Sequence, residues 1–200
     1  RIEVNPSPLD GKRAAEILVA LHSCAPLLGS CTVENTQRLE QGLRHLVEGT
    51  NADRGAILIA EEGGWLCRSA WSRGGTPMRG FVLSHTIQSE VMQSRRAVIS
   101  LDTTEDARFL DRRSVVGDEI RSVIAAPIPV QDGIGGILYI DRLDGDNRPF
   151  GNEELWATGI AAGVVGAGLS VGEELHELSA GREELVRTVI DSIPIIGNSE

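Results

Sequence analysis

The sequence is poor in cysteine and carries no catalytic or metal-binding signature. Its three cysteines, Cys24, Cys31 and Cys67, are odd in number and lack CxxC spacing, which argues against a disulfide framework and against a structural zinc site. We find no Ser-His-Asp arrangement with supporting glycines, no HExxH, and no GxxxxGKS or GxxxxGKT phosphate loop. The sequence therefore predicts no catalytic residue and no metal site. So few cysteines also indicate a reducing, cytoplasmic location.

Long apolar runs and positive charge are scarce as well. No run approaches the roughly 20 residues that span a bilayer, and no signal-peptide pattern opens the chain, so we expect no membrane segment. The net charge is −10. The part of the chain from Asn152 onward contains nine acidic and two basic residues, so it alone supplies −7 of that charge. A surface of that sign repels phosphate, so we expect no direct contact with nucleic acid. The chain begins at Arg1 without a methionine, which suggests an excised piece.

The stretch from Glu119 to Asp141 is the centre of the predicted fold. Two apolar, β-branched-rich runs, 122–130 and 134–140, are separated only by Gln131, Asp132 and Gly133. Asp-Gly between two such runs predicts a tight β-hairpin. Because the runs lack a clean polar alternation, both faces of the hairpin should be covered by other elements. With helical patterns before and after it, the hairpin predicts a mixed α/β (α+β) fold.

The remaining elements follow from periodicity and turn residues. We expect a first helix that starts at Ser7-Pro8 and ends near Gly29, with Pro26 ending or kinking it, and a second from about Thr32 to Gly49. The other expected elements are strands at 54–60, 65–71 and 81–83, a short strand or extended entry at 97–101, a helix capped by Ser84, a short helix at 103–110, and a last helix from Asn152 to about Asp191.

The last helix is too long for one small domain to bury. Val164, Val171, Leu178 and Leu185 recur every seven residues, with a second line at Ala161, Gly168, Leu175, Arg182 and Val189. This pattern predicts a coiled coil, and a second copy of the chain is the simplest partner. Arg182 at a core-facing position should weaken the pairing unless it meets an acid of the other copy.

The order of these elements resembles a GAF domain. The resemblance is carried by the segments 51–56 (NADRGA), 84–87 with 90–91, 95–98 and 120–123, by Pro127-Ile128, by 135–141 (GGILYID), and by Phe150 with 153–155. It implies a central antiparallel sheet of five to six strands, helices on both faces, and a long C-terminal helix. The implied units are an N-terminal helix and linker (1–31), the GAF domain (32–170) and a signalling helix (171–192).

The resemblance also implies a small-molecule pocket between the sheet and the helices on one face; the ligand is unknown. The residues expected to line it are Arg68, Trp71, Phe81, His85, Thr86, Asp102, Phe109, Arg113 and Ser122. Ordinary core packing of the aromatic residues and solvated loop charge are the competing interpretations. A dimerisation scaffold whose pocket is filled by its own side chains therefore remains the alternative.

Family variants with known chemistry fit less well. Cyclic-nucleotide-binding members carry Asn-Lys, a distant Phe and then Asp-Glu, whereas this chain has Asp141-Arg142, Phe150 and Glu154-Leu155. Only the phenylalanine is kept, although Arg142 and Glu154 could form a structural ion pair. Iron-based sensing would need a ligand set such as Cys67 with Asp102 or Asp106, and a methionine sulfoxide reductase would need several pocket cysteines.

The C-terminus resembles a different element. The segment 191–199 (DSIPIIGNS) is similar to the joint before the AAA+ ATPase domain of sigma-54-dependent transcriptional activators, so residues 193–200 would open that domain. The resemblance implies a bacterial regulatory region that controls an ATPase, and the helix pairing predicted from the heptad pattern would make it a homodimer. That ATPase would act on the RNA polymerase sigma-54 holoenzyme.

Overall fold

The chain folds around one five-stranded antiparallel sheet. A computed structural model describes residues 11–30, 36–74, 83–100, 120–143 and 148–192, without the side chains of residues 173, 186 and 188–192. The elements are α1 (Gly11–Leu28), α2 (Thr36–Gly49), β1 (Arg54–Glu61), β2 (Gly64–Ser72), α3 (His85–Ser94), β3 (Val98–Ser100), β4 (Ile120–Val130), β5 (Gly133–Leu143) and α4 (Asn152–Ser192).

The predicted central hairpin is confirmed. The strand order is β2-β1-β5-β4-β3, so β5 is the middle strand and pairs with β4 on one side and β1 on the other. Val130 pairs with Gly133 across the two-residue turn, and Gly133 has a φ of 146°. That backbone angle is strained for any residue with a side chain, which is why the turn needs glycine there.

Helices cover both faces of the sheet, as the continuous apolar runs predict. On the first face, α2 packs over β1 and β2, α4 packs over β4 and β5, and α1 lies against α2 and α4. On the second face, α3 contacts β3, β4 and β5. Each face has its own buried core: Ile57, Ile124, Leu138 and Ile140 point to the first, and Leu58, Val123, Ala125, Ile137 and Tyr139 to the second.

The helix α1 is an integral part of the domain. The side chains of Ile17, Leu21, Cys24 and Leu28 join the core of the first face, and Cys24 and Leu28 are completely buried. Pro26 lies inside α1, which continues to Leu28, so it neither ends the helix there nor prevents the last turn from packing. The described part of the predicted N-terminal helix, Gly11–Leu28, therefore contributes to the core.

Several expected elements lie partly or wholly outside the described residues. These are the start of α1 at Ser7, the segment 32–35 of the second helix, most of the strand at 81–83, and the short helix at 103–110. Leu83 itself is buried next to α3 but is not in a strand. The strand expected at 97–101 is present as Val98–Ser100, and α4 matches its expected range.

The helix α4 approaches the sheet closely because small residues face it. Ala157, Ala161 and Ala162 are buried, and a Cβ atom added to Gly166 would overlap the carbonyl oxygen of Pro129 in β4. A helix axis can come this near a strand only where side chains are small.

Length and composition alone would allow α4 to cross a membrane, contrary to the sequence expectation. The mean hydropathy of its best 18-residue window is 1.5. However, 44% of that window is buried against the rest of the domain, and the core helix of a folded domain meets the same criteria. The composition of α4 is therefore weak evidence for a membrane segment.

Candidate functional site

The second face of the sheet, between the strands and α3, is largely apolar. Ile87 and Val91 of α3 pack with Leu58, Val98 and Ala125, and Trp65 and Cys67 of β2 flank them. Residues two apart on a strand share a face, so Tyr139 and Asp141 of β5 belong to this side. The face therefore combines an apolar floor with one polar group at the end of β5.

That polar group is a buried chain of hydrogen bonds. The Tyr139 hydroxyl donates to Asp141 Oδ2 at 2.9 Å, and Arg54 donates to the same carboxylate through Nε at 3.1 Å and Nη2 at 2.7 Å. Asp141 is fully buried. Burial raises the pKa of Asp141, and the bonds from Arg54 and Tyr139 offset only part of that effect. Burial, followed by the charge of Asp141, also raises the pKa of Tyr139. The three groups form a rigid polar base at one end of the apolar face.

The structure divides the predicted pocket residues between the two faces. His85 and Thr86 lie together in the first turn of α3, His85 exposed and Thr86 half-buried, and Arg68 is half-buried on β2. Four others, Phe81, Asp102, Phe109 and Arg113, lie outside the described residues. Ser84 precedes α3 with a backbone conformation suited to an N-cap, but its side chain makes no capping hydrogen bond.

Trp71 and Ser122 lie on the opposite side of the sheet from α3. Trp71 packs against the core of the first face, with the Arg44 guanidinium carbon 5.9 Å from its ring centre. The Ser122 hydroxyl donates to the carbonyl oxygen of Ser100 at 2.8 Å and accepts from the Phe150 amide at 3.2 Å. Both residues therefore have structural contacts that keep them away from α3.

Sequence reasoning missed Arg54, Tyr139 and Asp141. The available signal was the alternation of Tyr139 and Asp141 in the middle strand. A tyrosine and an aspartate on one face of a buried strand need polar partners, and Arg54 pairs directly with Asp141 across β1 and β5.

A second polar cluster lies on the first face, around Glu154 at the start of α4. Arg142 and Glu154 form the expected ion pair, with 3.5 Å between Nη2 and Oε1. Arg13 of α1 reaches the same oxygen at 3.0 Å, and the Gly151 amide donates to Oε2 at 2.8 Å. Burial favours a raised pKa for Glu154, but the Gly151 amide and the two guanidiniums hold that pKa below its ordinary value.

Arg142 is held from all sides. Its side chain is 2% exposed, and it donates to the carbonyl oxygens of Thr50, Asn51 and Arg148 at 2.6 to 2.9 Å. Its guanidinium carbon lies 4.1 Å from the centre of the Phe150 ring. Burial lowers the pKa of Arg142 and Glu154 opposes that change. Arg142 and Glu154, which depart from the cyclic-nucleotide pattern, and Phe150, which keeps it, thus tie the end of β5 to the start of α4.

The described part of the chain contains no group of three or more potential metal ligands. Cys24 is buried in the helical core, which raises the pKa of its thiol to about 11. Cys67 is half-buried on β2, and burial raises its pKa too. The other ligands considered for iron, Asp102 and Asp106, and the third cysteine, Cys31, lie outside the described residues.

The outer side of α4 carries an apolar stripe that we define by its exposed residues. Exposed apolar residues recur three, four or seven residues apart, so they lie on one side of the helix: Trp156, Ile160, Ala167, Val171, Leu175, Leu178 and Leu185. At about 1.5 Å per residue, the stripe is roughly 44 Å long.

The first part of the predicted heptad pattern packs against the domain itself. Ala161 and Gly168 are buried, and Val164 packs half-buried against the core of the first face, because α4 covers the sheet over this span. Val171, Leu175, Leu178, Arg182 and Leu185 are exposed, as a seam for a partner requires, while the side chain of Val189 lies outside the described set.

A five-stranded antiparallel sheet with α3 on one face and a helical layer on the other defines a mixed α+β domain fold. The GAF domain family model matches residues 34–168, so the chain belongs to the GAF domain family. Members of this family are signal-sensing regulatory domains. A comparison with curated protein sequences finds no match.

Solved structures agree on the fold. The chain is similar to the GAF domain of a phosphoenolpyruvate-protein phosphotransferase from Coxiella burnetii, with 17% identity, a TM-score of 0.66, and coverage of 82% of this chain and 98% of that chain. It is similar to free methionine-R-sulfoxide reductase from Neisseria meningitidis, solved with its substrate, with 12% identity, a TM-score of 0.64, and coverage of 88% and 99%. It is also similar to the nlh2 GAF domain of A. aeolicus in an inactive state, with 16% identity, a TM-score of 0.57, and coverage of 82% of this chain and 99% of that chain.

Proposed function

We propose that this GAF domain senses a small molecule and controls the AAA+ ATPase of a sigma-54-dependent transcription activator through α4. The observation that carries the proposal is the continuity of α4. Its first half forms part of the core of the first face, and its second half carries the exposed side chains of Leu175, Leu178 and Leu185, which continue the stripe. A single helix that belongs to both parts can pass a displacement of the sheet to whatever follows it. The resemblance of 191–199 to the activator joint supplies the identity of the following domain.

The proposed ligand lies between α3 and the sheet, above Tyr139 and Asp141. The apolar floor and the polar base suit a small molecule with an apolar body and a group that bonds to a carboxylate or a guanidinium. The neighbouring solved structures show the fold and not the ligand, because all are less than 25% identical.

The proposed partner of α4 is a second copy of the chain. Four large side chains beyond residue 170 are 55% to 70% exposed: Val171, Leu175, Leu178 and Leu185. Apolar residues at this spacing, on a helix that extends beyond the sheet, are typical of a parallel or antiparallel helix pair. The RNA polymerase sigma-54 holoenzyme would be engaged by the ATPase domain. This acidic region would make no contact with nucleic acid or membrane in the bacterial cytoplasm, and it would not be an enzyme.

Native mass spectrometry of the purified chain, compared with its denatured mass, tests both ligand binding and dimerisation. We expect a dimer that carries the extra mass of a small molecule. A ligand-free monomer at micromolar concentration, unchanged by added cell metabolites, would refute the proposal.

The dimer is tested separately by substitutions on α4. Arg182 lies within the stripe, so Arg182→Leu should strengthen the dimer about tenfold by removing a charge from an apolar seam. Arg187 is exposed and five residues further on, which places it about 140° away around the helix axis, so Arg187→Leu is the matched control. Sedimentation equilibrium gives the dissociation constants. Equal effects of the two changes would place the contact somewhere other than the stripe.

A dimerisation scaffold without a ligand is the second candidate. It is favoured by the packing of the second face, where Leu58, Ile137 and Tyr139 are each no more than 2% exposed and the Tyr139 hydroxyl already bonds to Asp141. A dimer whose native mass equals twice the chain mass, before and after incubation with a metabolite extract, would favour this candidate over the sensor.

A further inference from the structure

The outer sides of α1 and α4 carry large apolar side chains that remain exposed in the folded domain. We call four of them the outer patch: Leu18 (64% exposed), Val19 (67%), Trp156 (49%) and Ile160 (55%). Trp156 and Ile160 are the start of the stripe on α4. Leu18 and Val19 belong to α1 and have no part in the pairing proposed above for α4.

The helices α1 and α4 lie side by side and run in the same direction. Near their starts, Arg13 and Glu154 form an ion pair at 3.0 Å. Just after the end of α1, a Cβ atom added to Gly29 would lie 3.4 Å from Cγ1 of Val164 in α4. The outer sides of the two helices therefore belong to one surface of the domain.

Leu18 and Ile160 lie on the neighbouring flanks of these two helices. Leu18 is eleven residues before Gly29, which places the two about 20° apart around the axis of α1. Ile160 is four residues before Val164, about 40° apart around the axis of α4. Because Gly29 and Val164 mark the line along which the helices approach each other, the outer patch extends across that line from α1 to α4.

The two helices have no charged side chains around the outer patch. α1 contains no acidic residue, lysine or arginine after Glu16, and α4 contains none from Leu155 to Gly172. A helix on the surface of a domain normally has charged and polar residues on its outer side, and a helix that is apolar all round is normally buried. An uncharged surface on two adjacent helices therefore indicates an interface with an apolar partner.

The area that a stable dimer needs favours a second copy of the chain as that partner. A specific interface buries about 1,200 to 2,000 Å², of which roughly 60% is apolar. The four exposed side chains beyond residue 170 supply roughly 500 Å² of apolar area from two copies, at about 100 Å² for a fully exposed aliphatic side chain. The outer patch raises the total to roughly 1,100 Å², with about 200 Å² for a fully exposed tryptophan. The apolar area of a stable dimer is reached only when the patch is included.

We propose that the outer patch packs against a second copy of the chain, so that α1 and α4 of both copies meet in one interface of four helices. This inference rests on the proposed dimer and extends its contact from the end of α4 to the body of the domain. The patch lies on the helical layer that packs on the sheet. A displacement of the sheet would therefore change the fit between the copies at the domain itself.

The fluorescence of Trp156 reports directly on the patch. Trp156 is fifteen residues before Val171, about 22 Å along α4, so pairing beyond residue 170 alone would leave it exposed. Acrylamide quenching of the full chain, compared with that of Trp156→Phe, isolates this tryptophan from Trp65 and Trp71. We expect its quenching to fall about threefold as the chain dimerises, because a half-exposed indole becomes buried. Unchanged quenching in the dimer would overturn the inference.

A substitution on α1 tests the new part of the interface. Leu18→Glu should raise the dissociation constant of the dimer about tenfold or more, because it places a charge in an apolar contact. Leu66 is an exposed leucine on β2, away from α1 and α4, so Leu66→Glu is the matched control and should stay within about twofold of the unchanged chain. Sedimentation equilibrium gives the dissociation constants, and circular dichroism checks that each variant is folded. Equal dissociation constants for the two variants would refute the inference.

Leu178→Glu separates this inference from the pairing proposed for the end of α4. If Leu178→Glu weakens the dimer and Leu18→Glu does not, only the end of α4 pairs and the inference fails. If Leu18→Glu weakens the dimer and Leu178→Glu does not, the inference holds and the pairing beyond residue 170 fails. A chain that stays monomeric at about 100 μM would overturn both. Sedimentation of the monomer with phosphatidylcholine vesicles, with Trp156 shielded, would make lipid the occupant of the patch and overturn the inference.

Discussion

The close contact between α4 and β4 predicts opposite effects for two glycine substitutions in the same helix. In Gly166→Ala, the new Cβ atom would overlap the Pro129 carbonyl oxygen and would lie 3.0 Å from the Pro129 carbonyl carbon. In Gly159→Ala, the new Cβ atom would have nothing within 4 Å. Both changes gain about 1 kcal/mol of helix propensity, because alanine is favoured over glycine by that amount inside a helix.

At Gly166 this gain is outweighed by overpacking. Forcing an extra carbon into a packed contact costs about 1 to 3 kcal/mol, and the atom here meets backbone, which cannot rotate away, so the upper end applies. We expect Gly166→Ala to lower the free energy of unfolding by about 2 kcal/mol and Gly159→Ala to raise it by about 1 kcal/mol. In a domain of this size, 1 kcal/mol corresponds to roughly 2 to 4 °C in Tm.

Urea unfolding followed by circular dichroism measures both changes at a fixed protein concentration. Gly159 is the control because it shares the helix, the residue type and the propensity gain with Gly166. If Gly166→Ala is as stable as Gly159→Ala, then α4 does not pack closely on the Pro129 carbonyl of β4.

Two further predictions concern ionisation. Glu154→Gln should cost about 3 kcal/mol at pH 7, because it leaves Arg142 without its buried partner. The folded pKa of Glu154 is below its ordinary value of 4.5, so its contribution is present above that pH and is lost as the pH falls through the folded pKa. Urea titrations should therefore show the gap between the two proteins closing as the pH falls below 4.5, and a constant gap would contradict the assignment. The Cys24 thiol, with a pKa of about 11 instead of 9, should react roughly 100-fold more slowly with iodoacetamide in the native protein than after unfolding. Peptide mass spectrometry measures both rates, and rapid native labelling would mean that the α1 core opens.

The sheet was predictable because its local signals agree with its tertiary environment. The runs at 122–130 and 134–140 are apolar on both faces, and the structure buries both faces. The turn at Asp132-Gly133 fixes the register between them, since Gly133 accepts a positive φ. Agreement of propensity, turn chemistry and burial in one segment leaves few alternative folds for it.

The pocket was harder to predict because strand side chains alternate between faces. Trp71 and Tyr139 are both aromatic residues in strands, yet Trp71 packs under α2 and Tyr139 lies on the α3 side. A shift of one residue in register reverses the face on which a side chain lies. The pairing between β1 and β2 contains such an irregularity between Ile57 and Leu58, which the sequence does not reveal.

The heptad pattern of α4 likewise predicts the side of the helix on which residues lie but not what covers that side. A seven-residue repeat identifies positions on one side of a helix, but it does not say which neighbour covers them. Over 161–168 the neighbour is the domain itself, which buries Ala161 and Gly168. Beyond that point the same repeat is exposed, so one sequence pattern corresponds to two different environments.

The distribution of side-chain size around α4 relates its packing to its proposed output. Small residues such as Ala162 and Gly166 face the sheet, while Trp156 and Ile160 point outward and are 49% and 55% exposed. An isolated domain would gain more by burying the large residues and exposing the small ones, since buried apolar area is the main stabilising term. The observed arrangement brings the helix axis close to β4, so a displacement of that strand must move α4 as a body. It also leaves the larger apolar surface to the proposed partner, where that movement would change the fit. A mutation that loosens the contact at Gly166 should therefore uncouple the sheet from the stripe before it disrupts the proposed pairing of α4.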